Sequence, residues 1–170
     1  MAVLVYPPRV RYEELSDLPC SITRPLVVLG DRWTLLVLKF AFAGVRRFNG
    51  FRDALEISRS RLQDRLDRLV EHGILVRVPV EGARHHEYRL TQKGHDLYPV
   101  LMAIKDWGDA HMAPDGPPVR YRHRDCGGPD GPGEARVRLA CDACGASLTA
   151  REVSPVPGPG LGSPSRAAAD

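Results

Sequence analysis

At 170 residues the chain has room for one compact domain with an appendage, and too little for two domains of ordinary size. Hydrophobic residues at 43% and charged residues at 26% are globular proportions, which excludes a fibrous or wholly disordered chain. The 24 Lys and Arg against 21 Asp and Glu, a net charge of +3, permit an anionic partner without requiring one, so the placement of charge has to decide.

The most apolar stretch, residues 33–43, is 11 residues long and carries Lys39, against about 18–20 apolar residues for a membrane span. The opening MAVLVYPPRV has neither a basic leader region nor a small-residue cleavage site. A cytoplasmic protein with no membrane partner is the expectation, and in that reducing setting the four cysteines read as metal ligands or reactive thiols before disulfides.

Residues 25–29 read as a short helix that Thr23 could cap, with Pro25 tolerated in its first turn. After Gly30, residues 31–43 place Trp33, Leu36, Val37 and Phe40 at i, i+3, i+4 and i+7, widened by Leu35, Leu38 and Phe42, which predicts a helix buried nearly all round. Gly44 ends it. Phe48, Phe51 and Leu55 then space a second, short helix with Arg52 and Asp53 on its outer side. Ser58 caps a third over 59–72, whose Leu62, Leu66, Leu69 and Val70 make one apolar face before a left-handed Gly73. Residues 74–80 and 87–90 pair as a hairpin around Glu81-Gly82, with Arg84, His85 and His86 crowding its tip. Thr91 caps a long last helix, 92 to about 112, kinked at Pro99.

Helix, short helix, capped third helix and basic hairpin is the order of a winged helix-turn-helix, in which the third helix packs one face on the core and offers polar side chains to base edges. With the leucines inward, Ser60, Arg61, Asp64 and Arg68 point away from the core, and Arg59 and Gln63 lie near the flanks. Seven Arg against five acids over residues 45–72 is a modest footprint, and a solvated, salt-bridged helix face is the plain alternative.

Several segments then match a known family in order and spacing from residue 20 to about 107. They are Cys20-Ser21-Ile22, Leu29-Gly30-Asp31-Arg32-Trp33-Thr34-Leu35-Leu36-Val37-Leu38, Arg46-Arg47-Phe48-Asn49, Leu62-Gln63-Asp64-Arg65-Leu66, Glu71-His72-Gly73-Ile74-Leu75 and Glu87-Tyr88-Arg89-Leu90-Thr91-Gln92-Lys93-Gly94. The series resembles the HxlR-type transcriptional regulators, relatives of MarR. The resemblance implies a homodimer joined by the N-terminal segment and last helix, bound to double-stranded DNA at a pseudo-palindromic operator. It implies a repressor answering a small-molecule, electrophile or redox signal, whose third helix reads the major groove and whose wing reaches the backbone or minor groove. The expected contact set is Arg46 and Arg47 ahead of the short helix, Ser58, Arg59, Ser60, Arg61, Gln63, Asp64 and Arg68 along the third, and Arg84 and His85 on the wing. Cys20 stands where such regulators often carry a cysteine, in some a sensor of electrophiles or oxidants. A helix N-terminus and nearby Arg24 would favour its thiolate, and the alternative is a small buried residue beneath the dimer interface.

Glycine and proline number 13 in residues 1–112 and 18 in the last 58, which sets a boundary near Ala113. Beyond it stand His123-x2-Cys126-Gly127 and Cys141-x2-Cys144-Gly145, with 14 residues between Cys126 and Cys141. Two such knuckles supply a closed tetrahedral set, His123, Cys126, Cys141 and Cys144, for a structural zinc ion. The Gly-Pro-rich sequence between them makes no core, so a metal staple gives the module a reason to fold. A Cys141–Cys144 disulfide and unpaired thiols stay open as alternatives. No deaminase-type H-x-E, phosphate loop or nucleophile elbow is present.

The chain is therefore expected to be mainly α with a small hairpin wing, a winged helix-turn-helix, plus a small zinc-ribbon-like β module. Its parts are an arm over 1–19, the DNA-binding and dimerisation domain over 20–112, the module over 113–153 and a flexible tail over 154–170. A DNA-binding regulator accounts for most of it. A zinc-stabilised module that docks a protein, or a small zinc enzyme, are the other readings.

Overall fold

The computed structural model describes Leu18, residues 20–127 and residues 133–159. The expected arm, apart from Leu18, and the tail from residue 160 lie outside the described residues. The chain divides into two compact units, Met1–Arg89 with Pro155–Asp170, and Leu90–Ser154.

The first unit runs α1 (Thr23–Leu29), α2 (Arg32–Phe42), α3 (Phe48–Leu55), α4 (Arg59–Glu71), β1 (Leu75–Pro79) and β2 (His86–Leu90). The two strands form one two-stranded sheet, with Gly82 at φ +71° in the turn between them. Helix α4 follows the expected pattern closely. Ser58 is in extended conformation and its side chain accepts the Arg61 N–H, Leu62, Leu66 and Leu69 are wholly buried, and Gly73 takes φ +66°. Each buried leucine contributes on the order of 1.5–3 kcal/mol. Their face meets α2, α3 and β1, and with Val37, Leu38, Phe51, Leu55 and Leu75 it makes the core.

Helix α2 departs from its expected stripe. Its buried positions are Thr34, Val37 and Leu38, while Trp33 and Phe40 are half-buried and Leu36 is 38% exposed. The helix is apolar on several sides, so the neighbours α1, α3 and α4 choose which side is covered, and they choose one rotated from the predicted stripe. Asp31, rather than a residue inside the helix, is its cap, accepting the Trp33 N–H at 2.9 Å. In α1 the expected cap is also displaced. Thr23 is the first helical residue and its hydroxyl donates to the Cys20 carbonyl at 3.2 Å.

The buried Tyr88 closes the unit. Its N–H donates to the Arg46 carbonyl at 2.8 Å, its ring meets Phe51 edge-on at 6.4 Å, and the Arg77 guanidinium lies 5.9 Å over it. An isolated two-stranded hairpin is marginal in water, so Tyr88 is what fixes the wing to the helices.

In the second unit the long final helix is two. Thr91 caps α5 (Gln92–His95), accepting the Gly94 N–H at 3.1 Å, and α6 (Tyr98–His111) starts afresh with Pro99 in its first turn. A proline inside one continuous helix would remove a hydrogen bond and clash with the preceding turn, and the break at Asp96-Leu97 relieves both. Two short antiparallel pairings follow. Ala135 and His123 donate to the Tyr121 and Gly133 carbonyls around the Arg122–Glu134 bridge, and Leu148 and Cys141 donate to Leu139 and Ala146 around the Ala140–Ser147 bridge. These isolated bridges stand where a ribbon-like β module was expected. The first pairing is tied to α6, because Asp106 accepts the Val137 N–H at 2.7 Å and the Lys105 ammonium lies 5.8 Å over the Tyr121 ring. The second unit runs from Leu90 to Ser154 and so includes α6 and both pairings. Among the described residues none after Met102 is buried.

Two outcomes follow from these contacts. Tyr88→Ala is expected to destabilise the first unit by about 3–5 kcal/mol, whereas Tyr88→Phe, which keeps the ring packing, costs about 1 kcal/mol. Urea melts with hydrogen exchange on β1 and β2 separate the two. In the second unit, the Val137 N–H and then Lys105 hold the Asp106 carboxyl below its usual 3.8. A carboxyl depressed in the folded state contributes fully above its unfolded value and loses that contribution as pH falls through the folded one. Protection of the Val137 amide should therefore persist at neutral pH and fall only below the ordinary aspartate range, and Asp106→Ala should lower it about fivefold at any higher pH, equivalent to about 1 kcal/mol.

Candidate nucleic-acid interface

Five of the anticipated residues line one groove of about 560 Å³ in the first unit: Arg47, Arg59 and Gln63 from the starts of α3 and α4, and Arg84 and His85 from the wing. Phe48, Asn49, His86 and Tyr88 complete the lining. It holds three arginines and two histidines and no carboxylate, so its field is positive along the edge where a helix N-terminus and a wing meet.

Local structure explains each placement. Arg47 is the extended residue ahead of α3, which turns it outward. The Arg59 guanidinium lies 5.3 Å over the Phe48 ring, a cation–π contact that holds the charge at the groove while leaving its N–H donors available. Gln63 is half-buried and donates to Asp67 at 2.7 Å, and Asp67 also accepts the Arg77 guanidinium from β1. One carboxylate therefore orients the α4 amide and pins the wing. His86 reaches the groove because it shares a strand face with Tyr88, two residues on, with 4.8 Å between the ring centroids.

The other anticipated contacts are placed differently. Ser60, Arg61 and Asp64 are exposed on α4 but outside the groove lining, and Ser58 serves as its cap. Arg46 is exposed and its carbonyl receives Tyr88. Arg68, expected to point away from the core, instead turns its guanidinium to the Val27 carbonyl of α1 and is half-buried. A tertiary contact 41 residues away in sequence decides its direction, which helical spacing does not register. Beside the groove, the hydrogen bond from Arg89 holds the Glu87 carboxyl below the usual range, and the charges of Arg46 and Arg47 act in the same sense.

Asp67 and Arg77 were not singled out from the sequence, and Asn49 and His86 were noted there without being placed in the contact set. Gln63 and Asp67 stand at i, i+4, a pairing that helical spacing offers, and the His86-Tyr88 alternation was likewise readable. The Asp67–Arg77 pair joins two elements and has no local signal.

Of the cysteines, Cys20 is half-buried just before α1, where its carbonyl takes the Thr23 hydroxyl and the Arg24 N–H. The Arg24 side chain donates to the Leu18 carbonyl at 3.1 Å. In the second unit the Cys144 and Ala143 N–H groups and the Cys144 thiol hold the Cys141 thiol below its usual range, with Gly145 at φ +71° completing the turn. Cys141 and Cys144 thus form a two-thiol knuckle. His123 and Cys126 lie at the other pairing, and among the described residues no three His, Cys, Asp or Glu side chains are gathered so as to hold a metal ion.

The model of the HxlR-like helix-turn-helix family matches residues 28–116, and the chain belongs to that family, a class of transcriptional regulators and not of enzymes. It is 46% identical over 143 residues to the uncharacterized HTH-type transcriptional regulator Rv3095 of Mycobacterium tuberculosis, covering 83% of this chain and 87% of that protein. The solved structure of PA1607, described as a candidate transcription factor, matches with a TM-score of 0.74 and 39% identity over 83% of this chain and 96% of its own. The redox regulator HypR in its reduced form matches with a TM-score of 0.50 and 30% identity over 54% of this chain and 92% of its own. The matches to Rv3095 and PA1607 are longer than residues 1–116, so they necessarily include part of the C-terminal module. The resemblance carried by the residue series from Cys20 onward is borne out as family membership.

No helix among the described residues is long and apolar enough to cross a membrane.

Proposed function

We propose that the chain is a sequence-specific regulator of transcription that binds duplex DNA as a homodimer, with the N-terminal half of α4 in the major groove and the wing on the adjoining backbone or minor groove. The observation that carries this reading is the carboxylate-free groove in which Arg47, Arg59, Gln63, Arg84 and His85 meet. Gln63 is the side chain suited to a base edge, since an amide pairs bidentately with adenine, and the arginines suit phosphates. Dimerisation is supported by α6, where Val100, Ile104 and Trp107 recur at helical spacing and are 45%, 48% and 59% exposed. A contiguous apolar face of that kind belongs against a partner. Repression of a gene under a pseudo-palindromic operator is the regulatory mode we assign, with a small molecule or an electrophile as signal and Cys20 as the residue that would receive an electrophile.

Fluorescence anisotropy across a salt series tests the reading, with duplexes selected from random sequence by the protein and their scrambled counterparts. Gln63→Ala is expected to relax preference at one base position, by about 1–3 kcal/mol. Arg84→Ala is expected to weaken all sequences alike and to make the salt slope shallower by about 0.9. Equal binding of selected and scrambled DNA by the wild type would refute the reading.

For the C-terminal module we propose a structural zinc ion held by His123, Cys126, Cys141 and Cys144, two ligands from each pairing. The Cys141–Cys144 knuckle supplies half of that set, and a module with no buried side chain among its described residues needs a source of stability other than a core. Native mass spectrometry is expected to give one zinc per chain, lost in Cys144→Ser together with amide protection around Cys141 and Leu148 but not along α4. Zinc-free protein with that protection intact contradicts the assignment.

A further inference from the structure

We propose that the outer face of the first C-terminal pairing is a second contact for DNA, a row of arginines that takes phosphates of a duplex. The inference rests on the reading that this chain binds duplex DNA.

The face is set by strand alternation. Around the Arg122–Glu134 bridge, Tyr121 and Ala135 are half-buried while Arg120, Arg122, Glu134 and Arg136 are exposed. The Tyr121 ring lies beneath the Lys105 ammonium of α6, so Tyr121 and Ala135 are on the covered side, while Val137 is joined to Asp106 through its backbone N–H alone. Bridged residues in an antiparallel pairing share a face, and the ion pairs from Glu134 to Arg120 at 3.5 Å and to Arg136 at 2.9 Å agree with that. Arg124 and Asp125 form the turn that follows the bridged segment, and Arg138 stands between the two bridges, two residues beyond Arg136.

The charge on this face is segregated. Residues 113–159 hold six arginines, six acids and no lysine, a neutral balance, yet Arg120, Arg122 and Arg136 share this face, with Arg124 and Arg138 at its margins. Glu134 is claimed by Arg120 and Arg136, whose side chains are 63% and 65% exposed. Among the described residues no hydrogen bond or ion pair from the Arg122, Arg124 or Arg138 side chain is present.

An open row suits a polyanion better than a small ligand, which binds in a concave site with buried polar groups. Alternate strand residues stand about 6.6 Å apart, and a duplex carries one charge per about 1.7 Å of axis, so each arginine in the row finds a phosphate. The guanidinium fork matches phosphate oxygens. Such contacts carry no base preference, so this face would add affinity and salt dependence and leave the choice of sequence to α4.

The test uses the full chain and a duplex several helical turns long, selected from random sequence by the wild type. In the triple variant Arg122→Ala, Arg124→Ala, Arg138→Ala, which spares the Glu134 ion pairs, the slope of log affinity against log salt should become shallower by about 2.7, at about 0.9 per lost phosphate contact. Preference for selected over scrambled sequence should stay at the wild-type ratio. The triple Arg→Lys variant, which keeps the charge, should restore most of the slope, and this separates a lost contact from a misfolded module. Wild-type slope and affinity in the alanine triple overturn the proposal, as does a triple that loses binding to polyglutamate while DNA binding is untouched, which assigns the face to an acidic protein. Failure of the underlying reading looks different: the wild type then shows no preference between selected and scrambled duplex, whatever the arginine triple does to the slope.

Discussion

The buried Tyr88 is the constraint from which the helix-and-wing unit is built. A two-stranded wing has too little surface to order itself, and here one residue anchors it three ways: its backbone N–H donates to the segment before α3, and its ring meets Phe51 edge-on and lies beneath the Arg77 guanidinium. Because Arg77 also meets Asp67 on α4, wing and α4 cannot shift independently. The groove is the gap these ties leave open. Its rims are the start of α3, the start of α4 and the wing tip, which places three arginines and two histidines around a half-buried amide.

Charge is divided between tasks. Asp67, Glu87, Asp106 and Glu134 all serve internal partners, arginine or lysine side chains and in one case a backbone N–H, and none of the four lines the groove. The unit that carries α6 has few buried groups of its own, and its pairings are held by hydrogen bonds and by the Asp106 and Tyr121 contacts to the helix. A module organised this way depends on ionised carboxylates, whereas the helical unit depends on leucines.

How much of this was legible follows from how local each cause is. The cap, buried face and end of α4 were readable because Ser58, the leucines at i, i+4 and i+7 and the terminal Gly73 are all signals carried within the element. The wing was readable from β-branched residues around Glu81-Gly82. Helix α2 was readable as a helix but not as to which side is covered, since a segment apolar on several faces leaves that choice to its neighbours. Pro99 signalled a disturbance, and only the geometry of the following turn decided between a kink and a new helix. Arg68 was misdirected because its partner, Val27, lies in another helix. The knuckle spacing around Cys141 and Cys144 predicted a turn that gathers two thiols, which is a local matter. His123 and Cys126 are not gathered with them among the described residues, because convergence of separate segments has no signal in spacing alone.

The central claim is that α4 and the wing face the same duplex through the groove between them. Site-specific photo-crosslinking measures this most directly: a photoreactive residue is placed at position 63 or at position 84 of the full chain, bound to a selected duplex, and the captured nucleotides are mapped. The account predicts capture of bases from position 63 and of the sugar-phosphate backbone or minor groove of the adjoining segment from position 84. Capture from neither, with the duplex caught instead by a probe at the exposed Asp53 on the outer side of α3, would contradict it.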